Sequence, residues 1–373
     1  MNILVTGAKG FVGKNLISEL KNRGYTSVYS YDIDTEEELL DQYTRNCDFV
    51  FHLAGVNRPQ EEKEFMEGNF GFTSVLLGKL KEHRNLAPVL ITSSIQAELD
   101  NAYGRSKRAG EELLFSYAGE TGAKAIVYRL PNVFGKWCRP NYNSAVATFC
   151  YQIANGLEIQ VNDPKRVMSL VYIDDVIEEF FAALYGKENR NGYFAAVPTV
   201  HTIELGRIAE LLHSFQKSRT SLTVPDVSNE FEKKLYSTYL SYLPKDSFSY
   251  PLTMHADERG SFTEFIRTPD RGQVSVNISR PGITKGNHWH HTKNEKFLVV
   301  KGTGCIRFRK VDETEIIEYH VSGEALTVVD IPTGYTHSIT NEGDTDLITV
   351  MWANEAFDPE KPDTYFEKVE AES

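Results

Sequence analysis

The stretch Asn2–Gly13, "NILVTGAKGFVG", decides the reading of the first half of the chain. An apolar run ends at Thr6. Gly7, Gly10 and Gly13 follow at regular spacing, with Lys9, Phe11 and Val12 between them, and a helix-length segment runs on to Asn22. Between a strand and a helix, one glycine permits the tight turn and another lets the backbone approach a pyrophosphate. The helix N-terminus then faces the phosphates with unpaired N–H groups and a partial positive charge. A glycine triplet by itself also fits an ordinary turn. Its place directly after a strand, at the head of a long alternating series, favours a dinucleotide site.

That series continues outward. Strand-like runs "TSVYSYD", "CDFVFHLAG", "PVLITSS" and "KAIVYRLP" alternate with helix-length segments at 35–46, 69–83 and 103–119. The alternation predicts βαβ units and a doubly wound parallel sheet with helices on both faces. The texture changes near "YLPKDSFSYPLT". Beyond it come short strands and Gly/Pro turns without helices, among them "GQVSVNIS", "KFLVVKG", "GCIRFRKV" and "DLITVMW". These predict an all-β barrel or sandwich. The expected domains are residues 1–243 and 247–373.

Bulk properties narrow the function. With 373 residues the chain is long enough for two domains, each with its own core. A net charge of −12 argues against a general nucleic-acid binder. Cys47, Cys138, Cys150 and Cys305 show no CxxC pairing, which fits reduced thiols in a cytoplasmic protein. Neither a signal peptide nor a membrane-spanning apolar run is read, so no membrane partner is expected.

In "AYGRSKRAGE", Tyr103 and Lys107 stand four apart, which puts both on one helix face. A nearby ammonium favours phenolate and is expected to lower the phenol pKa, so that the pair can exchange a proton with a substrate oxygen. Upstream, "LITSS" ends a strand with Thr92, Ser93 and Ser94, whose hydroxyls could hold that oxygen. Asp32 ends the second strand, where an acid bonds a ribose 2′-hydroxyl and points to NAD(H). Lys9 could instead pair with a 2′-phosphate.

Together with "HLAG" (His52–Gly55), Asn69, "RLPNVFG" (Arg129–Gly135) and "VYIDDV" (Val171–Val176), these features resemble the extended short-chain dehydrogenase/reductase family over roughly residues 1–240. The resemblance implies Ser94, Tyr103 and Lys107 as the catalytic set, with Ser93 the alternative serine. The expected cofactor contacts are Gly7, Lys9, Gly10, Phe11, Val12, Gly13, Asp32, Leu53, Ala54, Gly55, Tyr103 and Lys107, and the resemblance implies sugar-nucleotide contacts from Asn132, Arg139 and Asn143. Dehydratases of this family carry an Asp-Glu pair just after the catalytic Ser/Thr. Here Ile95 and Gln96 stand there, which disfavours dehydration and leaves reduction or 4-epimerisation.

The second half carries "GNHWHHTKNEKFLVVKG", Gly286–Gly302. His288 and His290 alternate and so share one face of a strand. Glu295 follows after a turn, and "PTGYTHSITN" adds His337. Three imidazoles and a carboxylate suit zinc, iron, manganese or nickel. The two stretches resemble the paired motifs of the cupins, except that Leu326 replaces a leading glycine. That resemblance implies metal ligation by His288, His290, Glu295 and His337. His291 is extra and is taken as the candidate base, with Lys296 and Tyr335 as alternatives. "DERGSFTEF", Asp257–Phe265, resembles a stretch of the dTDP-4-dehydrorhamnose 3,5-epimerases, which implies that Arg259, with Glu264, meets a nucleotide diphosphate.

The order of chemistry follows from carbonyl acidity. A sugar C3 proton is inert until C4 is a ketone, so epimerisation must precede reduction. "HLAGVNRP", "FGKWCRPNYNS", "LYSTYLSYLP" and "DRGQVSVNIS" extend the likeness over both halves. As a whole the chain resembles a family of bifunctional capsular-polysaccharide enzymes. That likeness implies 3-epimerisation of a UDP-2-acetamido-2,6-dideoxy-hexos-4-ulose in the cupin, then reduction to the 6-deoxy-L-talose derivative, a precursor of N-acetyl-L-fucosamine. It implies NADPH first and NADH second, Zn2+ in the cupin, and a homodimer. The alternatives are an NAD-dependent 4-epimerase, and a reductase whose cupin only binds sugar.

Overall fold

Apolar runs bounded by glycine turns become the strands of two separate units. The computed structural model describes residues 1–268, 270–311, 313–356 and 358–370. One unit comprises Met1–His213 with Ser228–Pro244; the other comprises Ser214–Val227 with the chain from Lys245 onward.

The first unit contains β1 (Ile3–Thr6), α1 (Phe11–Asn22), β2 (Val28–Tyr31), α2 (Glu37–Asn46), β3 (Phe49–His52), α3 (Lys63–Met66), α4 (Phe72–Glu82), β4 (Val89–Ser94), α5 (Ala102–Thr121) and β5 (Ala125–Leu130). It continues with β6 (Asn132–Phe134), α6 (Ala145–Ala154), β7 (Val167–Tyr172), α7 (Ile173–Leu184), β8 (Arg190–Asn191), β9 (Phe194–Ala195), β10 (His201–Glu204), the start of α8 (Leu205–Ser221) and α9 (Glu230–Leu240). The main sheet has the order β2-β1-β3-β4-β5-β9-β8, parallel except for the last pair. A smaller sheet joins β10, β7 and β6.

Strands β1 and β3 are buried throughout because both faces of the sheet are covered. Side-chain alternation sends Ile3 and Val5 to one core, with Leu16, Phe51 and Phe180, and sends Leu4 to the other, with Leu40, Val50 and Leu76. Each such side chain contributes about 1.5–3 kcal/mol by leaving water. Asn101 caps α5 by accepting from the Gly104 amide at 2.7 Å, and Gly122 ends it in the left-handed region at φ +80°.

The second unit is built from β11 (His255–Asp257), β12 (Gly260–Thr268), β13 (Gly272–Ser279), β14 (Thr284–Trp289), β15 (Glu295–Lys301), β16 (Thr303–Lys310), β17 (Ile316–Ser322), β18 (Val328–Ile331), β19 (Tyr335–Asn341), β20 (Leu347–Ala353) and β21 (Tyr365–Phe366). Two sheets form, in the orders β11-β12-β13-β20-β15-β18 and β17-β16-β19-β14-β21, and their strand pairs are antiparallel. This is the expected all-β second domain. Phe297, Val299, Ile306, Phe308 and Ile339 fill the space between the sheets. Ser214–Val227 joins this unit because Thr223 runs beside Arg267, whose amide donates to the Leu222 carbonyl at 2.8 Å.

Candidate functional site

In the first unit, β1 leads to β2 on one side and β3 lies on the other, so the strand order reverses at β1. A crevice at the carboxyl ends of the strands is expected there. A cleft of about 630 Å³ occupies this place, lined by the glycine loop, Leu53, Gly55, Tyr103 and Lys107. Gly7 has φ +66°, and a Cβ on it would lie 2.7 Å from the Ala54 nitrogen. A Cβ on Gly13 would lie 2.2 Å from the Gly7 carbonyl oxygen. Packing of the loop against β3 and α1 therefore excludes side chains at both positions.

At the end of β2, the Asp32 carboxylate accepts from the Lys9 amide at 2.7 Å and from the Ile33 amide at 2.8 Å. The Lys9 ammonium pairs with Asp34.

Helix α5 carries Tyr103 and Lys107 into the cleft on one face. The Lys107 ammonium donates to the Thr92 carbonyl at 3.2 Å and lies 5.9 Å from the centre of the Tyr103 ring. Burial pushes its pKa down to about 8, against the opposing pull of Glu111. The Tyr103 phenol departs from expectation. Burial raises its pKa, and hydrogen bonding from Ser94 only partly offsets that. Lowering by Lys107 is not among the causes that act on the phenol; desolvation dominates.

Both serines line the cleft but have different partners. Ser93 donates to buried Glu111, which also holds Arg129 through contacts of 2.9 and 2.6 Å. Ser94 interacts with Tyr103 and lines the cleft. Gly55 allows close approach, since a Cβ there would meet the Lys107 nitrogen at 2.9 Å and Asn69 Oδ1 at 2.8 Å. Asn69 sits in a π-helical turn and bridges Val56 to Ser106. His52, beside Ala54, is bound between Thr6 and Thr73 at 2.6 and 2.8 Å, and burial holds its pKa down to about 3. It is a neutral spacer behind the cleft.

Asn132, Arg139 and Asn143 line the same cleft as Tyr103. Arg139 stacks over Tyr142 at 5.3 Å, and Asn132 donates to the Ser169 carbonyl at 3.3 Å. Among the described residues, none lining this cleft is a carboxylate.

In the second unit, β14, β15 and β19 bring His288, His290, Glu295 and His337 together, with one ligand atom from each within 4.8 Å of the others. His288 pairs across to His337 beside a register shift in β14. Glu295 Oε2 lies 3.5 Å from His290 Nε2 and 3.3 Å from His337 Nε2. These three atoms, and His337 Nδ1, are buried without a hydrogen-bond partner. An orphaned buried polar atom costs about 1–3 kcal/mol, so the three that face one another, His290 Nε2, Glu295 Oε2 and His337 Nε2, call for a partner, and this donor set suits a divalent metal. Burial pushes the His288 pKa down to about 4, which leaves the imidazole free to donate a lone pair. Burial opposes ionisation of Glu295, but the neighbouring imidazoles outweigh it and hold the carboxyl well below its usual range.

The cluster opens into a cavity of about 1290 Å³, which Arg259 and Glu264 also line. Arg259 pairs with Asp257 at 2.6 Å and Glu264 with Arg267 at 2.5 Å. His291 is not in this cavity, contrary to the role expected of it. The alternation that turns His288 and His290 inward turns Trp289 and His291 outward, and the His291 ring packs edge-on against Trp289 and Tyr365. Lys296 is likewise outside, paired with Asp330, and Tyr335 packs on the core. Lys285, Lys293 and His255 line the cavity instead. Alternation from His288 is the sequence signal for the outward direction of His291. No local signal marks Lys285.

A cofactor crevice with a Tyr–Lys helix, followed by an antiparallel unit with a buried His/Glu cluster, defines a class. The chain belongs to the NAD dependent epimerase/dehydratase family, which matches residues 3–193, and the polysaccharide biosynthesis C-terminal domain matches residues 255–365. Among individual proteins, UDP-2-acetamido-2,6-beta-L-arabino-hexul-4-ose reductase of Pseudomonas aeruginosa is 47% identical over 98% of both chains. The crystal structure of capsular polysaccharide assembling protein CapF from Staphylococcus aureus is 56% identical, with a TM-score of 0.93 over 99% of this chain and 100% of that one. A structure of CapF with the inhibitor 3-isopropenyl-tropolone is 52% identical, with a TM-score of 0.90 over 99% and 100%. Among the described residues no helix is long and apolar enough to cross a membrane.

Proposed function

We propose that the chain is a bifunctional nucleotide-sugar enzyme. Its second unit epimerises C3 of a UDP-2-acetamido-2,6-dideoxy-hexos-4-ulose, and its first unit reduces the C4 ketone to the 6-deoxy-L-talose product, for capsule or O-antigen. The observation that carries this reading is the presence in one chain of two distinct sites, the Ser94–Tyr103–Lys107 cleft and the orphaned cluster of His288, His290, Glu295 and His337. The full-length likeness to a named keto-sugar reductase supports it.

In the reduction, a dihydronicotinamide held in the Gly7–Gly13 cleft would supply the hydride for C4 of the sugar. Tyr103 gives its phenol proton to the C4 oxygen as the C–H bond forms. Ser94 donates to the same oxygen and orients the carbonyl. The Lys107 ammonium supplies positive charge as phenolate develops, which is the moment when its pull on Tyr103 matters. Asn132, Arg139 and Asn143 hold the sugar nucleotide. NADPH is the first cofactor choice by resemblance; the acid placed at Asp32 favours NADH, and the ratio of kcat/KM values decides between them.

In the epimerisation, His288, His290, Glu295 and His337 would hold Zn2+. Bound there, the metal supplies Lewis-acid stabilisation of the charge that develops beside the ketone. Arg259, which lines the same cavity, meets the diphosphate. The base is assigned to the cavity set of Lys285, Lys293 and His255, since His291 faces outward. The protein works in the cytoplasm as a homodimer, which sedimentation tests.

The decisive experiment is proton NMR of the protein with its keto sugar in D2O, with and without reduced cofactor. Exchange of the C3 proton without cofactor, and a single inverted alcohol with it, are expected. No exchange in the absence of cofactor sinks the epimerase half.

A further inference from the structure

Asp363 lies far along the chain from the clustered ligands, yet five of its contacts grip the segment that carries one of them. Its backbone carbonyl is 2.6 Å from His290 Nδ1. A carbonyl can only accept, so Nδ1 bears the proton and Nε2 is the bare nitrogen facing Glu295. The Asp363 carboxylate accepts from the amides of His291, Thr292 and Lys293 at 3.0, 2.9 and 2.9 Å, and from the Thr292 hydroxyl at 3.1 Å. Asp363 does this at φ +28°, a backbone conformation that persists only where the surroundings impose it. They do: β21 pairs with β14 just beyond, and Arg309 donates to the carbonyls of Lys368 and Val369, both at 2.9 Å.

We infer that Asp363 is a positioning residue for the metal centre: the C-terminal strap, and not the barrel strands alone, sets the tautomer and ring direction of His290. The inference rests on the reading that the cluster holds a metal. One residue fixes the ring through its carbonyl and the following loop through its carboxylate. Partners of this kind, lying behind metal ligands, orient the ligand and raise its basicity.

The test uses full-length, metal-stripped protein, with Asp363→Asn and Asp363→Ala as variants and His337→Ala as a ligand control. Asn keeps the size but replaces one of two oxygens, both of which accept hydrogen bonds, with an NH2 group that faces a donor. Zinc affinity is measured by competition with a chromophoric chelator. Imidazole 15N NMR of the zinc-free protein reports the His290 tautomer, and circular dichroism reports folding. Expected results are a single Nδ1-protonated signal in the wild type, mixed tautomers in the Asp363 variants, and zinc affinity weakened about 10- to 100-fold with the fold intact. If both variants keep a single tautomer and bind zinc within about threefold of wild type, while His337→Ala does not, the inference falls and the metal reading survives. If the wild type takes up no zinc, the metal reading falls and the inference falls with it.

Discussion

Lys107 makes the first unit less stable than it need be, and the cost is measurable through pH. Burial takes its pKa from an ordinary 10.5 to about 8. At about 1.36 kcal/mol per pH unit, charging Lys107 in the fold costs roughly 3 kcal/mol relative to the unfolded chain. That is an upper bound, because Lys107 is half-buried and opens to the cleft on one side. The unfolded chain binds the extra proton between pH 8 and 10.5, so stability rises with pH across that window. Below it the full penalty applies. Lys107→Met removes the penalty and loses one hydrogen bond to Thr92, worth about 1 kcal/mol. The variant should therefore be about 1–2 kcal/mol more stable at pH 7, or roughly 3–6 °C in the transition of the first unit. The gap should narrow steadily as pH climbs from 8, while ketone reduction is lost at every pH. Thermal unfolding across this range, paired with cofactor-consumption assays, reads both effects. A variant less stable than wild type at pH 7, or a gap that does not change with pH, would refute the burial argument.

Tyr103→Phe should lower reduced-cofactor consumption by about 10²–10⁴-fold and leave C3 exchange intact, because in the proposed mechanism the phenol serves only the C4 oxygen; loss of both by NMR would contradict separate sites. Gly13→Ala should abolish dinucleotide binding in a fluorescence titration, since its Cβ would meet the Gly7 oxygen at 2.2 Å; unchanged affinity would remove the glycine loop from the cofactor site. Glu111→Gln breaks a buried pair with Arg129 and releases Ser93, so a loss of about 3–5 kcal/mol is expected in denaturant unfolding; a neutral result would show that the pair Arg129 already makes with Glu98 at 3.0 Å is sufficient for it.

Much of the architecture was legible before any coordinates. Gly7, Gly10 and Gly13, the Tyr103–Lys107 pair, and the His288, His290, Glu295 and His337 set occur at intervals that match a turn, a helix face and a strand face. Such intervals are local properties of the chain. The helix expected at 69–83 appears as α4, preceded by the π-helical turn that holds Asn69. Nearness in sequence places His291 beside the ligands, whereas its ring packs against Trp289 and Tyr365.

The sequence alone therefore determined two units of different architecture and the residue types each brings to a site, because periodicity and glycine placement act over a few residues. Tertiary structure decided which of two adjacent serines meets Tyr103, why that phenol is raised and not lowered, and how Asp363 reaches His290. Desolvation and hydrogen-bond partnership depend on whatever the distant chain places nearby, and sequence spacing carries no record of that.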